Sequence, residues 1–352
     1  MGGNLILNII LAASLNQLWS MLNGLQLSTH MQLFNLKFPA NASFLLNFLV
    51  TVATFDVMPI ETIWFFFDFP EQGSYSLSFQ SSGYEYIYLI ENMGTCFFLV
   101  QIYITQCVLV LLLWLLIKYA GCHKLLTPQT KLRKGLFWSV PLRFIFEAYL
   151  ELVICVTIGL MNLTWASDNF SIQYCTVFTV CFALVVLFMP TFTLLFYYNK
   201  IDSVEEHEFK TKYGTLYDGL QLDLEEDKRK SALFYPFLFI VRRLIFMITV
   251  IFMAHFTWSQ IATQFAFCFI MVIYLGFVWP FVCHSITKIE IFNEIMAILL
   301  CYLMLCFTDW IPRAKTRYLA GWIFIAVICV HLGTHLTILV SNSYKNIRHK
   351  AK

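Results

Sequence analysis

The stretch TCFFLVQIYITQCVLVLLLWLLIKY, Thr95–Tyr119, decides the fold. It holds no charged residue before Lys118, and a bilayer core is crossed by a helix of about 20 apolar residues. Backbone groups in lipid have no water to bond, so such a segment must be helical. Six further segments meet the same standard: Pro141–Asn162, Ile172–Tyr198, Leu233–His255, Gln260–Val282, Ile289–Phe307 and Tyr318–Val340. Two weaker stretches precede them. One is Leu5–Leu22; the other runs from Ala42 to Phe66, and its Asn47, Asp56, Pro59 and Glu61 suit a re-entrant or interfacial piece. The expected fold is all-α, a polytopic transmembrane helical bundle with seven firm spans and nine at most.

Composition agrees with that reading. The chain is 59% hydrophobic and 12% charged, with a mean hydropathy of +0.72, against roughly 25% charged residues in a soluble domain. A net charge of +2 is too small for the basic footprint of a nucleic-acid binder. The partners expected are the lipid bilayer and either other membrane chains or further copies of this one. Cys107, Cys155, Cys181, Cys268, Cys301, Cys306 and Cys329 lie inside apolar runs, where thiols act as small buried hydrophobes.

Basic loops set the orientation. Lys118, Lys124, Lys131, Arg133 and Lys134 follow the first firm span, and Lys200, Lys210, Lys212 and Lys228–Lys230 follow the third. The tail carries Lys345, Arg348, Lys350 and Lys352. Seven spans put all three groups, and hence the C-terminus, on the cytoplasmic side, with Arg313, Lys315 and Arg317 as the opposing loop. The chain divides into N-terminal membrane segments (1–66), a short outer segment (67–94), the bundle (95–340) with its polar loop 199–231, and a basic tail (341–352). Asn41-Ala-Ser and Asn162-Leu-Thr are formal glycosylation sequons at membrane edges.

Ionisable groups inside apolar spans carry the functional question, because each costs about 2.5–3.5 kcal/mol to insert. Arg143, Glu147 and Glu151 recur at intervals of four and share one helical stripe. They either line a cation path or pair internally, with one carboxylate satisfied by another helix. Arg242 and Arg243 are adjacent and so diverge by about 100°, which suits pairing with Glu290 or Glu294 rather than voltage sensing. Glu290, Asn293 and Glu294 at the start of the sixth span could coordinate a cation or serve those arginines. His331 and His335 share a face at a spacing that suits a metal, but no local carboxylate joins them; polar packing is the expected role. The sequence shows neither a Ser-His-Asp order nor a phosphate-cradling glycine loop, and no enzyme activity or cofactor is expected.

One loop and its successors resemble a known family. Lys212-Tyr213-Gly214-Thr215-Leu216-Tyr217-Asp218-Gly219-Leu220 is similar to the Y-G-x-L-Y-x-G loop of the TRP-like membrane proteins of unicellular eukaryotes. In that family the loop is followed by a span with an arginine pair, a glutamine opening the next span, a proline-aromatic exit and an Asn-Glu pair. Pro236 with Arg242-Arg243, Gln260 (or Gln264), Trp279-Pro280-Phe281 and Asn293-Glu294 fit that order. Leu18–Gln26, Phe38-Pro39-Ala40-Asn41 and Phe55-Asp56 resemble the N-terminal membrane region of ciliate members. Many such relatives carry a large ectodomain ahead of this module; here the sequence reads as the membrane module without it.

The resemblance implies a channel or channel subunit in a plasma or ciliary membrane, with Glu147, Glu151, Glu290 or Glu294 facing water. The alternative is a non-conducting structural subunit that anchors or packs within a larger surface or ciliary assembly. The loop motif (Tyr213, Gly214, Leu216, Tyr217, Gly219) predicts a folded cuff whose tyrosines are buried against the inner helix ends.

Overall fold

The computed structural model describes residues 24, 26–53, 60–121, 126, 129, 136–165, 167–199, 209, 212–217, 219–222 and 226–351. Leu5–Leu22, Asp56, Pro59 and most of the acidic loop residues lie outside them. The described elements are helical throughout, with one isolated antiparallel bridge between Leu220 and Phe281.

The chain opens with a short helix, α1 (residues 26–30), continued by a 3-10 turn at Met31–Leu33. Then come α2 (Ala40–Ala53), α3 (Ile60–Phe66), α4 (Leu77–Ser81) and α5 (Leu89–Asn92). The long helices are α6 (Gly94–Ala120), α7 (Ser139–Met161), α8 (Phe170–Asn199), α10 (Tyr235–Phe252), α11 (Thr257–Val278), α12 (His284–Met304) and α13 (Ala314–Ala351), with the shorter α9 (Glu226–Leu233) leading into α10.

Seven helices are long and apolar enough to cross a membrane, and they coincide with the seven firm segments of the sequence. The fourth begins earlier than its hydropathy suggests, at Glu226, because α9 runs into α10 through a turn at Phe234. The weak Ala42–Phe66 stretch is described as α2 and α3, on either side of 54–59.

Close helix approach depends on small residues. A Cβ at Gly159 of α7 would sit 2.9 Å from Thr179 Cγ2 of α8, so glycine there lets the two backbones meet. Gly321 of α13 plays the same part against Pro39 and Asn41 at the start of α2. Asn41 donates from Nδ2 to the Tyr318 carbonyl (3.1 Å), and Asn162 from Nδ2 to the Ile158 carbonyl (2.8 Å). The amide nitrogens of both sequons are thus engaged in packing.

A partly polar segment is buried among the helices. Gln26, Leu27, Ser28, Thr29, His30, Met31, Gln32, Leu33 and Phe34 are all buried. Around them stand α2 (Gln32 to Asn47 Oδ1, 2.7 Å), α7 (Glu151), α10 (Phe34 on Phe246) and α11 (Asn35 N–H to Gln260 Oε1, 3.2 Å). Segment 77–92, read from sequence as an outer loop, also folds inward: Phe79, Tyr84, Tyr88, Leu89 and Ile90 belong to the core.

Candidate functional site

Three polar clusters occupy this bundle, and together they take up nearly all the residues singled out from the sequence. The first lies on α7. Arg143 Nε pairs with Glu147 Oε1 at 3.3 Å, both partly exposed in the first half of the helix. Glu151, two turns further, leaves that stripe and turns inward: its Oε1 accepts from Tyr84 Oη (3.1 Å) and its Oε2 lies 3.5 Å from His30 Nε2. Tyr84 Oη is also 2.8 Å from His30 Nε2, and His30 Nδ1 is 2.6 Å from the Gln26 carbonyl. The stripe is divided between that ion pair and a buried triad, and does not form one continuous lining.

The second cluster joins α10, α11, α12 and α13. Arg242 donates from Nη1 to Glu294 Oε1 and from Nη2 to Cys268 Sγ (3.2 Å), with both charged side chains more than nine-tenths buried. Arg243 turns the other way, as adjacent helical positions must. Its guanidinium lies 3.5 Å over the centre of the Phe239 ring and donates to the Phe239 carbonyl (3.4 Å). Asn293 Oδ1 accepts from His331 Nε2 (2.9 Å) and His335 Nε2 (2.7 Å). A carboxamide oxygen can only accept, so both imidazoles donate to it from Nε2, while Nδ1 of His331 has no hydrogen-bond partner among the described residues. No group of three His, Cys, Asp or Glu able to hold a metal ion occurs among the described residues.

A cavity of about 30 Å³ lies within this cluster, lined by Gly24, Tyr235, Arg242, Glu290, Asn293 and Glu294 among others. That is room for about two waters. Arg242 Nε, Asn293 Nδ2 and Glu294 Oε2 have no hydrogen-bond partner among the described residues, which fits a wet pocket of this size. Gly24 matters here because a Cβ would come within 2.8 Å of Asn293 Nδ2.

The third cluster forms where loop 212–222 meets the start of α7 and the end of α8. Tyr217 is buried, and its ring stacks on Phe196 of α8 (6.3 Å); Tyr213 packs on Trp138 (5.3 Å) and Phe209 (4.9 Å). Gly214 and Leu216 form a 3-10 turn with Leu216 buried, and Thr215 Oγ1 meets Ser139 Oγ at 2.7 Å. Gly219 takes φ +78°, the left-handed conformation that glycine adopts without strain. It brings the loop back along the exit of α11: Gln221 N–H donates to the Pro280 carbonyl (2.8 Å) and Val282 N–H to the Gly219 carbonyl (3.0 Å). Burial pushes the Tyr217 phenol up to about 12. Tyr217 is buried and Tyr213 half-buried, and the loop joins two motifs that the sequence reading treated separately.

Sequence reasoning missed Gln26, His30, Gln32 and Tyr84. Short and polar, they read as loop, and only their hydrogen bonding makes their burial tolerable. The spacing Gln26–His30 was the available signal, since it sets one side chain over a carbonyl of the preceding turn.

The chain matches no family model, no curated protein and no solved structure.

Proposed function

We propose that this multi-pass membrane protein is a closed, non-conducting subunit of TRP-like type that packs against a partner within the bilayer. The observation that carries this reading is that residues 26–34 are buried and, with Asn35, hold contacts to α2, α7, α10 and α11, filling space between these helices. The pairing of Arg242 with Glu294 in a cluster whose cavity is only about 30 Å³ adds support, because a conduction path needs charges that face water.

Partner packing is supported by α6. Its outer end meets α8, where Phe97 packs on Phe178 and Gln101 Nε2 donates to Tyr174 Oη (3.4 Å). Further along, Ile102, Ile104, Thr105, Gln106, Val108 and Leu109 are exposed. A carboxamide facing hydrocarbon costs roughly 2–7 kcal/mol without a hydrogen-bond partner, so Gln106 marks a face suited to another transmembrane helix. The order of motifs shared with TRP-like proteins supports the family assignment, since the loop motif, the proline-aromatic exit, the arginine pair and the Asn-Glu pair pack within one half of the bundle.

The test is reconstitution. Purified chain in liposomes is expected to pass cations no faster than protein-free vesicles, and crosslinking in native membranes through a cysteine at position 106 should capture a neighbouring chain. Steady cation flux that falls with Glu290→Gln or Glu294→Gln would reverse the conclusion.

A further inference from the structure

The His30–Tyr84–Glu151 triad does not serve the packing role just described, and its hydrogen atoms can be counted. His30 Nδ1 lies 2.6 Å from a carbonyl oxygen, so Nδ1 must carry a hydrogen. Three contacts remain: His30 Nε2 to Tyr84 Oη (2.8 Å), Tyr84 Oη to Glu151 Oε1 (3.1 Å) and His30 Nε2 to Glu151 Oε2 (3.5 Å). Suppose the imidazole is neutral and the carboxylate ionised. The single Tyr84 hydrogen can then serve His30 or Glu151, never both, and the other short contact sets lone pair against lone pair. Adding one proton removes the conflict. As an imidazolium, His30 donates from Nε2 to Tyr84 Oη and towards Glu151, while Tyr84 donates to Glu151. As a carboxylic acid, Glu151 donates to Tyr84, which donates to His30. Both arrangements are electrically neutral and fully bonded.

We infer that His30, Tyr84 and Glu151 form a buried site that binds one proton from water, and that this proton fastens segment 77–92 onto the bundle core. Glu151 sits ten residues before the outer end of α7 at Met161, about 15 Å along the helix, and Tyr84 is the group by which the outer segment reaches it. His30 is fully buried, and Glu151 and Tyr84 nearly so, so an unprotonated contact here cannot be repaired by bulk solvent. Burial, with Glu151 and Cys155 nearby, holds the Tyr84 phenol well above its usual range; it keeps its hydrogen and serves as the relay. The titratable groups acting on Tyr84 are Glu151 and the Cys155 thiol of α7; the partners of His30 on α1, Gln26 and Thr29, are neutral. Arg143 and Glu147 are engaged with each other.

The sign follows from proton counting: the site holds its proton at low pH, and raising the pH removes it and loosens the fastening. Amide hydrogen exchange of the full chain in lipid nanodiscs, followed over residues 77–92 between about pH 5 and pH 9 and corrected for intrinsic rates, reads this directly. Protection should fall on the order of tenfold across the titration. Glu151→Gln and His30→Gln should each flatten the step. Tyr84→Phe, a smaller change to the fold, should lower protection at every pH and shrink the step. A flat wild-type profile overturns the proposal without any variant, and a full-sized step surviving in Tyr84→Phe or Glu151→Gln overturns it equally.

Discussion

Arg242 and Glu294 show how single residues hold this bundle. Neither charge is affordable alone in a hydrocarbon-like interior, and removing one partner leaves the other stranded. Glu294→Leu should therefore destabilise the folded chain by about 3–5 kcal/mol, read as a lowered denaturation midpoint in mild detergent. Replacing both by apolar residues (Arg242→Met with Glu294→Leu) should cost less than the single change, because no orphan charge remains. On the exposed surface, Lys37 Nζ meets Asp309 Oδ1 at 2.5 Å. The Lys37 hydrogen bond and charge hold the Asp309 carboxyl below its usual range, so the contact is present at neutral pH and lost as pH falls through that lowered value. Carboxyl-carbon NMR should show Asp309 titrating at higher pH in Lys37→Gln than in the wild type; an unmoved titration would show that the contact does not form in solution.

At the scale of elements, the seven spans were legible because lipid demands long apolar helices and nothing else in the chain satisfies that demand. The folded loop was also legible, since Tyr213-Gly214 and Tyr217 through Gly219 put turn-forming glycines between large aromatics. Gly219→Ala should lose about 1 kcal/mol, as its φ of +78° strains any Cβ. Amide exchange at Gln221 and Val282 would report that loss as reduced protection, whereas unchanged protection would mean that the bridge to Pro280 does not depend on the turn. Residues 26–34 and 77–92 were not legible. Their serines, glutamines and histidine carry the signature of loops, and whether such residues are buried depends on partners far away in sequence, such as Glu151 for His30 and Asn47 for Gln32. The spacing of four on α7 gave the right stripe but not its division, for Arg143 and Glu147 pair along the helix while Glu151 is drawn off by residues from the N-terminal segment. Gly159→Val tests the contact between α7 and α8: with Thr179 2.9 Å from the added carbon, overpacking should cost about 1–3 kcal/mol.

The whole molecule combines these contacts into a helical bundle whose polar clusters are largely buried among the described residues, as the proposed non-conducting role requires. Polar clusters at the triad, at Arg242–Glu294 and at Asn293 with His331 and His335 lie on different helix pairs. The triad is complete only with the proton inferred above, and the pocket beside Arg242 and Glu294 has room for about two waters. In the proposed closed bundle, the segment around Ser28 is sealed from water on both sides of the membrane. Ser28→Cys changes one atom of a buried side chain (2% exposed). In a background whose native cysteines have been replaced, its reaction with a membrane-impermeant, charged thiol reagent added from either side measures access to that segment. The account predicts no modification in folded protein and full modification after denaturation; rapid modification of the folded protein, approaching that of a cysteine placed at exposed Trp310, would show a water-filled passage and contradict it.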